Sequence, residues 1–170
     1  MLVGDRLFVT KYSYGYSKHS FPFSPPILSK RVMFNSPERG DVVVFKTPAD
    51  NRTDYIKRLI GLPSEIIDVY KFEEKLPNGK KFHTVYLKEY TFQNSDVFTV
   101  PDNHYFFLGD NRDCSKDSRY LTSVGYVHKD NLVGKAQFIF FSSDRQVGSI
   151  FEIWKWHKSI RFNRTFDKIN

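Results

Sequence analysis

The chain has one cysteine, Cys114, so no disulfide can form within it. No base is evident beside Cys114 in the sequence to make it a thiolate nucleophile. No apolar run approaches the roughly 20 residues a membrane-crossing helix needs. The N-terminus carries Asp5 and Arg6 where a secretory signal has its apolar stretch, so it does not read as a cleavable leader. The chain as written is expected to be soluble or peripheral. Histidines are few and scattered, at 19, 83, 104, 128 and 157, with no pair at zinc-ligand spacing. Asp113, Ser115 and Asp117 alternate like the start of a calcium loop, but Ser118 stands where that loop needs Gly and Val124 where it needs Glu. No glycine-rich loop is built to cradle phosphate. Neither a metal nor a cofactor is expected. Acidic residues are outnumbered, 19 against 26 Lys and Arg for a net charge of +7, which suits an anionic partner. No nucleic-acid-binding module accompanies that charge, so no nucleic-acid partner is expected.

Aromatic residues are plentiful, with 17 Phe and 10 Tyr. Short aromatic or β-branched runs at 7–10, 42–45, 55–60, 85–87, 97–100, 105–108 and 136–141 recur between turn signals, which predicts a mostly β protein. At 170 residues the chain can bury a proper core, and one domain with a subdomain is expected. The proline-rich 21–26 stretch reads as a loop, and there is no internal repeat. At the C-terminal end Lys155, Lys158, Arg161, Arg164 and Lys168 interleave with Trp154, Trp156, Phe162 and Phe166. That mixture fits either a bilayer interface or a terminal element packed on the core.

Two segments carry the candidate chemistry. Residues 105–119 read Tyr-Phe-Phe-Leu-Gly-Asp-Asn-Arg-Asp-Cys-Ser-Lys-Asp-Ser-Arg: an apolar strand running into a turn dense with charge and hydroxyls. Gly109 is expected to end the strand by adopting angles closed to other residues. Asp110, Asp113 and Asp117 are expected to face Arg112 and Arg119 in carboxylate–guanidinium pairs. Residues 53–63 place Lys57 within a strand, and a period of two puts it on one face with Tyr55 and Leu59, leaving Ile56, Arg58 and Ile60 on the other. A lysine there either lays its stem on the core and reaches water, or loses hydration and its proton and can act as a base.

These boxes, Arg39-Gly40-Asp41-Val42-Val43-Val44-Phe45, then Asp54 to Pro63, then Phe107-Leu108-Gly109-Asp110-Asn111-Arg112-Asp113 with Ser115, Asp117 and Arg119, resemble in order those of the bacterial type I signal peptidases. Gly4-Asp5-Arg6-Leu7-Phe8-Val9 and Lys11-Tyr12-Ser13-Tyr14-Gly15 resemble the segment that follows that family's nucleophile box. The resemblance runs from the first residues to about Ala136. It implies a signal-peptidase-like antiparallel β fold, with 1–64 and 101–170 as the peptidase core and 65–100 as a shortened inserted β-subdomain. It further implies that Lys57 is the general base of a serine–lysine dyad. Ser115 then orients the amine, and Asp117, Arg119, Gly109, Asp110 and Asn111 support them. The implied partners are secretory preproteins, bound through the C-terminal region of their signal peptides, and an anionic membrane surface. The implied location is the outer, periplasmic face of the cytoplasmic membrane.

The family's nucleophilic serine lies in a Pro-Ser-Gly-Ser-Met-like box, and this chain begins after the corresponding point. It is therefore expected to be inactive alone, since acyl transfer needs both a nucleophile and oxyanion donors. The alternative is a catalytically dead homologue that binds membrane or exported peptides. Ser64-Glu65 stands where the family has Gly-Asp, so the turn after Pro63 is expected to be altered. Leu76-Pro77-Asn78-Gly79-Lys80 reads as a hairpin tip.

Overall fold

A computed structural model describes residues 1–26, 28–69, 96–112, 114–143 and 160–169. Its strands are β1 (Asp5–Thr10), β2 (Val42–Lys46), β3 (Asp54–Gly61), β4 (Ile66–Val69), β5 (Asp96–Thr99), β6 (His104–Leu108), β7 (Val127–His128) and β8 (Leu132–Ser142). The described residues are mostly β, joined by short 3-10 turns, and the paired strands run antiparallel. The expected strand at 85–87 and the hairpin tip at 76–80 lie outside the described residues. β4 and β7 have no counterpart in the sequence-based reading; β7, at two residues, is too short for any alternation to register.

The chain forms two compact units, one of residues 11–135 and one of residues 1–10 with 136–169. In the 11–135 unit the strand order is β8-β2-β3-β6-β7, β8 entering with its first residues. β2 pairs with β3 in the register Val43↔Lys57 and Phe45↔Tyr55, and β3 pairs with β6 through Arg58↔Leu108 and Leu59↔Phe107. One face of this sheet carries Val43, Phe45, Leu59, Tyr105, Phe107 and Leu132, with Tyr14 and Val124 packed among them. The other carries Ile60, Phe106 and Leu108, covered by Ile67, Phe98 and Val100 from β4, β5 and the residue after them. Because both faces are covered, Tyr105 to Leu108 are all buried and their run is unbroken rather than alternating. β4 and β5 form a sheet of their own, the described part of the 65–100 stretch.

Asp41, at the entry to β2, is buried and accepts hydrogen bonds from Tyr14 Oη at 2.9 Å and the Glu38 amide at 3.2 Å, with Lys135 Nζ at 2.6 Å. Burial and this carboxylate push the Tyr14 phenol well above its ordinary pKa, so it stays a donor. The turn after Pro63 keeps the left-handed geometry that a glycine would serve: Ser64 sits at φ 66. Its hydroxyl donates to Asp102, and its amide donates to the Val100 carbonyl at 2.9 Å. Ser64 thus holds a left-handed conformation that strains a residue with a Cβ.

In the unit of 1–10 and 136–169, Phe8 of β1 stacks on Phe138 of β8 with centroids 5.1 Å apart. The Asp5 side chain is buried there and accepts from Arg164, the Leu2 amide and Ser142 Oγ. Burial alone would raise its pKa, but these donors outweigh it and hold the carboxyl at about 2. Arg161 lies 3.9 Å from the same carboxylate, while Phe162 and Phe166 are exposed. Trp154, Trp156, Lys155 and Lys158 lie outside the described residues.

Candidate active site

Lys57 sits mid-way along β3, flanked on its own face by Tyr55 and Leu59. Its Nζ lies 5.7 Å from the centre of the Tyr55 ring. Partly buried on this apolar face, the ammonium loses hydration, and burial is the main cause of a pKa below the ordinary value; Arg119 adds to that fall. The carboxylates of Asp117 and Asp110 pull the other way. Each of those carboxylates is already occupied by a guanidinium. Asp117, completely buried, accepts from Arg119 at 2.8 and 3.0 Å and from the Gly109 amide at 3.0 Å. Asp110 accepts from both Nε and Nη2 of Arg58, at 2.8 and 3.0 Å. Desolvation nevertheless outweighs the pull of these carboxylates.

The amine is held by a hydroxyl. Lys57 Nζ donates to Ser115 Oγ at 2.7 Å, joining residues 58 positions apart. A neutral amine has two N–H groups and one lone pair. Giving one N–H to Ser115 fixes rotation about the Cε–Nζ bond and leaves the lone pair free to take a proton. Ser115 is itself buried. The next turn of its loop is tied back to β6, with the Phe107 amide donating to Ser118 Oγ at 2.9 Å and the Ser118 amide donating to the Phe107 carbonyl at 3.0 Å.

Gly109 is what lets the hydroxyl in, by a different property from the one expected. Its φ is not positive, so it does not end β6 through special backbone angles. A Cβ at this position would stand 2.0 Å from Ser115 Oγ, 2.4 Å from Ser115 Cβ and 3.3 Å from Lys57 Nζ. The missing side chain is the space that Ser115 fills. Asn111 is exposed, and its side chain accepts from the Cys114 amide at 3.4 Å.

The structure therefore brings Lys57, Ser115, Asp117, Arg119 and Gly109 together and puts Asp110 and Asn111 on the connecting turn. The pairing within the turn differs from expectation. Asp110 is taken up by Arg58, from the opposite face of β3, and Arg112 is buried with its Nε donating to the Gly109 carbonyl at 2.9 Å. Arg119 Nη2 also donates to the Arg112 carbonyl at 2.6 Å. Asp113 lies outside the described residues. Tyr55, which walls the amine, was legible in the sequence as the residue two before Lys57, and Arg58 as the cation beside it. Among the described residues no group of three or more His, Cys, Asp or Glu could hold a metal.

Residues 1–141 match the family model described as signal peptidase, peptidase S26. The chain belongs to the signal peptidase S26 family. Signal peptidase I of Rickettsia bellii (strain OSU 85-389) is 41% identical to it over 211 aligned residues, which cover 98% of this chain and 72% of that relative. Signal peptidase I of Rickettsia typhi (strain ATCC VR-144 / Wilmington) is 39% identical over 214, covering 99% and 80%. Both alignments are longer than the 170-residue chain, so this signal peptidase family member is shortened relative to those two. A crystal structure of a signal peptidase I from Enterococcus faecalis V583 compares at 30% identity with a TM-score of 0.45, covering 59% of this chain and 97% of that one. Family membership makes this a chain of peptidase descent in signal-peptide processing. Among the described residues no helix is long and apolar enough to cross a membrane.

Proposed function

We propose that Lys57 is the general base of a serine–lysine endopeptidase that removes signal peptides from exported preproteins at the outer face of the cytoplasmic membrane. One observation carries the reading: a lysine on an apolar sheet face, its pKa lowered, donating to a buried hydroxyl 2.7 Å away. The substrate is the extended C-terminal end of a signal peptide, added as a β-strand and selected by small side chains before the cut.

In that reaction the neutral Lys57 amine takes the proton of a serine hydroxyl as its oxygen attacks the scissile carbonyl carbon. The tetrahedral intermediate collapses with cleavage of the C–N bond, and the Lys57 ammonium returns the proton to the leaving amine. Water then attacks the acyl ester, again giving its proton to Lys57, and the serine oxygen leaves and is reprotonated. Ser115 keeps the amine in one orientation through both halves. The Asp117–Arg119 pair holds the loop without adding net negative charge that would keep the lysine protonated.

The 170 residues contain no Pro-Ser-Gly-Ser-Met sequence to supply the attacking hydroxyl. A second reading is a homologue that binds exported peptides and cleaves nothing. The two are separated by one experiment. A form of the protein carrying the serine box cleaves a preprotein at its signal junction, and Lys57→Ala in that form abolishes cleavage while leaving peptide binding intact. The 170-residue chain by itself binds the peptide without turnover. Full cleavage by the Lys57→Ala form removes the lysine from the role of general base.

A further inference from the structure

We propose that His104 and His128 form a surface site for a divalent transition-metal ion of the zinc class, which staples β7 to the start of β6. The inference rests on the pairing of these two strands and not on the chemistry of Lys57.

The two histidines stand far apart in sequence, and no ligand spacing announces them. Strand pairing makes them neighbours. His104 opens β6, and the antiparallel register sets it directly opposite His128 of β7. The Lys129 amide donates to the Asn103 carbonyl at 2.9 Å, so the ladder bond falls on the residues beside them. The histidines are therefore a non-hydrogen-bonded pair, the kind whose side chains stand closest. Their ring centres lie 5.0 Å apart, with the planes at 68°. A tetrahedral ion held at about 2.0–2.1 Å by one nitrogen of each ring sets the ring centres about 5 Å apart, so the rings need little movement to take it.

The ring nitrogens are already sorted for that task. His104 Nδ1 lies 2.9 Å from the Asp102 carbonyl oxygen, which can only accept, so Nδ1 carries the proton and Nε2 the lone pair. His128 Nδ1 stands 3.3 Å from the Asp130 amide and 3.5 Å from the Asp130 carboxylate. With an ion on Nε2, the Nδ1 proton turns to that carboxylate at the expense of the long amide contact, and the carboxylate makes the ring a more basic ligand. Neither Nε2 has a hydrogen-bond partner among the described residues. The supports are themselves tied down. Asp102 accepts from the Ser64 hydroxyl, and Asp130 Oδ1 accepts from the Arg31 amide at 3.2 Å. The nearby cation, Lys129, has its amine on Asn103 Oδ1 at 2.8 Å.

Both rings can be reached, His104 being partly exposed and the His128 side chain 39% exposed. Imidazole nitrogens select zinc, copper and nickel over the oxygen-seeking magnesium and calcium, and two protein ligands leave the remaining positions to water. An ion so held gives the two-residue β7 a second link to β6, the strand whose far end leads into Gly109.

The test is isothermal titration calorimetry of Zn2+ into the 170-residue chain, with thermal melts beside it. One ion per chain is expected, at a Kd on the order of 10 μM, weaker than a four-ligand structural site. The melting temperature should rise with Zn2+ concentration, as for any ligand of the folded state. His104→Gln and His128→Asn should each weaken binding by about 100-fold, and Asp130→Asn, which removes only the supporting carboxylate, by about tenfold. Asn at 128 keeps an acceptor for the Asp130 amide, so without Zn2+ the variants should melt with the parent. His83→Ala and His157→Ala should leave binding unchanged. The proposal is overturned if Zn2+ does not bind, if either His104→Gln or His128→Asn binds as the parent does, if His83→Ala or His157→Ala removes the binding, or if Mg2+ raises the melting temperature equally. Cleavage plays no part in the readout, so the metal site can fail while the peptidase reading stands, and the reverse.

Discussion

Gly109→Ala adds one carbon to the closest-packed point of the site, and the structure says where that carbon goes. At 2.0 Å from Ser115 Oγ it falls about 1.5 Å inside ordinary non-bonded contact, so the hydroxyl must leave. Strain cannot be shed through the backbone, because φ at 109 is already open to alanine and the Gly109 amide is bound to buried Asp117. Overpacking of this kind costs about 1–3 kcal/mol, and the lost Lys57–Ser115 hydrogen bond about 1 kcal/mol more, giving about 2–4 kcal/mol of lost stability. In a form carrying the serine box, displacing the amine by about an ångström should lower kcat on the order of 100-fold with KM little changed. The companion variant Gly109→Ala/Ser115→Gly removes the atoms that collide. It should regain most of the melting temperature without regaining activity, which separates the clash from the loss of the hydroxyl. If Gly109→Ala keeps both its melting temperature and its kcat within twofold of the parent, the spatial role of this glycine is refuted.

Ser115→Ala leaves the packing but frees the amine to rotate; kcat in the serine-box form should fall by about tenfold with KM unchanged, read by steady-state cleavage of a preprotein. Ser64→Gly relieves a left-handed serine at φ 66 at the expense of its exposed hydrogen bond to Asp102, so urea melts should show a gain between zero and about 1 kcal/mol. Asp5, held at about 2 against an ordinary carboxylate near 3.9, contributes stability that is fully present above about pH 4 and lost as pH falls through 2. Asp5→Asn should flatten that acid limb in a pH series of melting temperatures; an unchanged limb assigns it to other carboxylates.

Much of the strand pattern was legible because β2, β3, β6 and the middle of β8 are dense in β-branched and aromatic residues between turn signals. The face occupied by Lys57 followed from a period of two. What could not be read was convergence: nothing in local sequence says that position 115 returns to position 57, or that Arg58 reaches across to Asp110 rather than leaving it to the loop. Those are tertiary facts, and only the ordered boxes hinted at them. Gly109 was noticed for its conformational freedom when its lack of a Cβ was the property in use, a distinction that depends on what lies opposite. The 21–26 stretch read only as a loop, and that Arg31 beyond it binds carbonyls at 14, 15, 129 and 132 could not be foreseen, because backbone acceptors leave no mark in sequence.

The charge state of a single amine decides whether Lys57 can serve as a base. Heteronuclear NMR titration of the 170-residue chain with 13Cε-labelled lysine, assigned through Lys57→Arg, measures it without need of a nucleophile. The structure predicts one lysine resonance titrating below the ordinary lysine value, and moving back towards it when Arg119→Gln removes the neighbouring cation. A Lys57 signal that titrates with the bulk lysines would contradict the assignment of a base at this site.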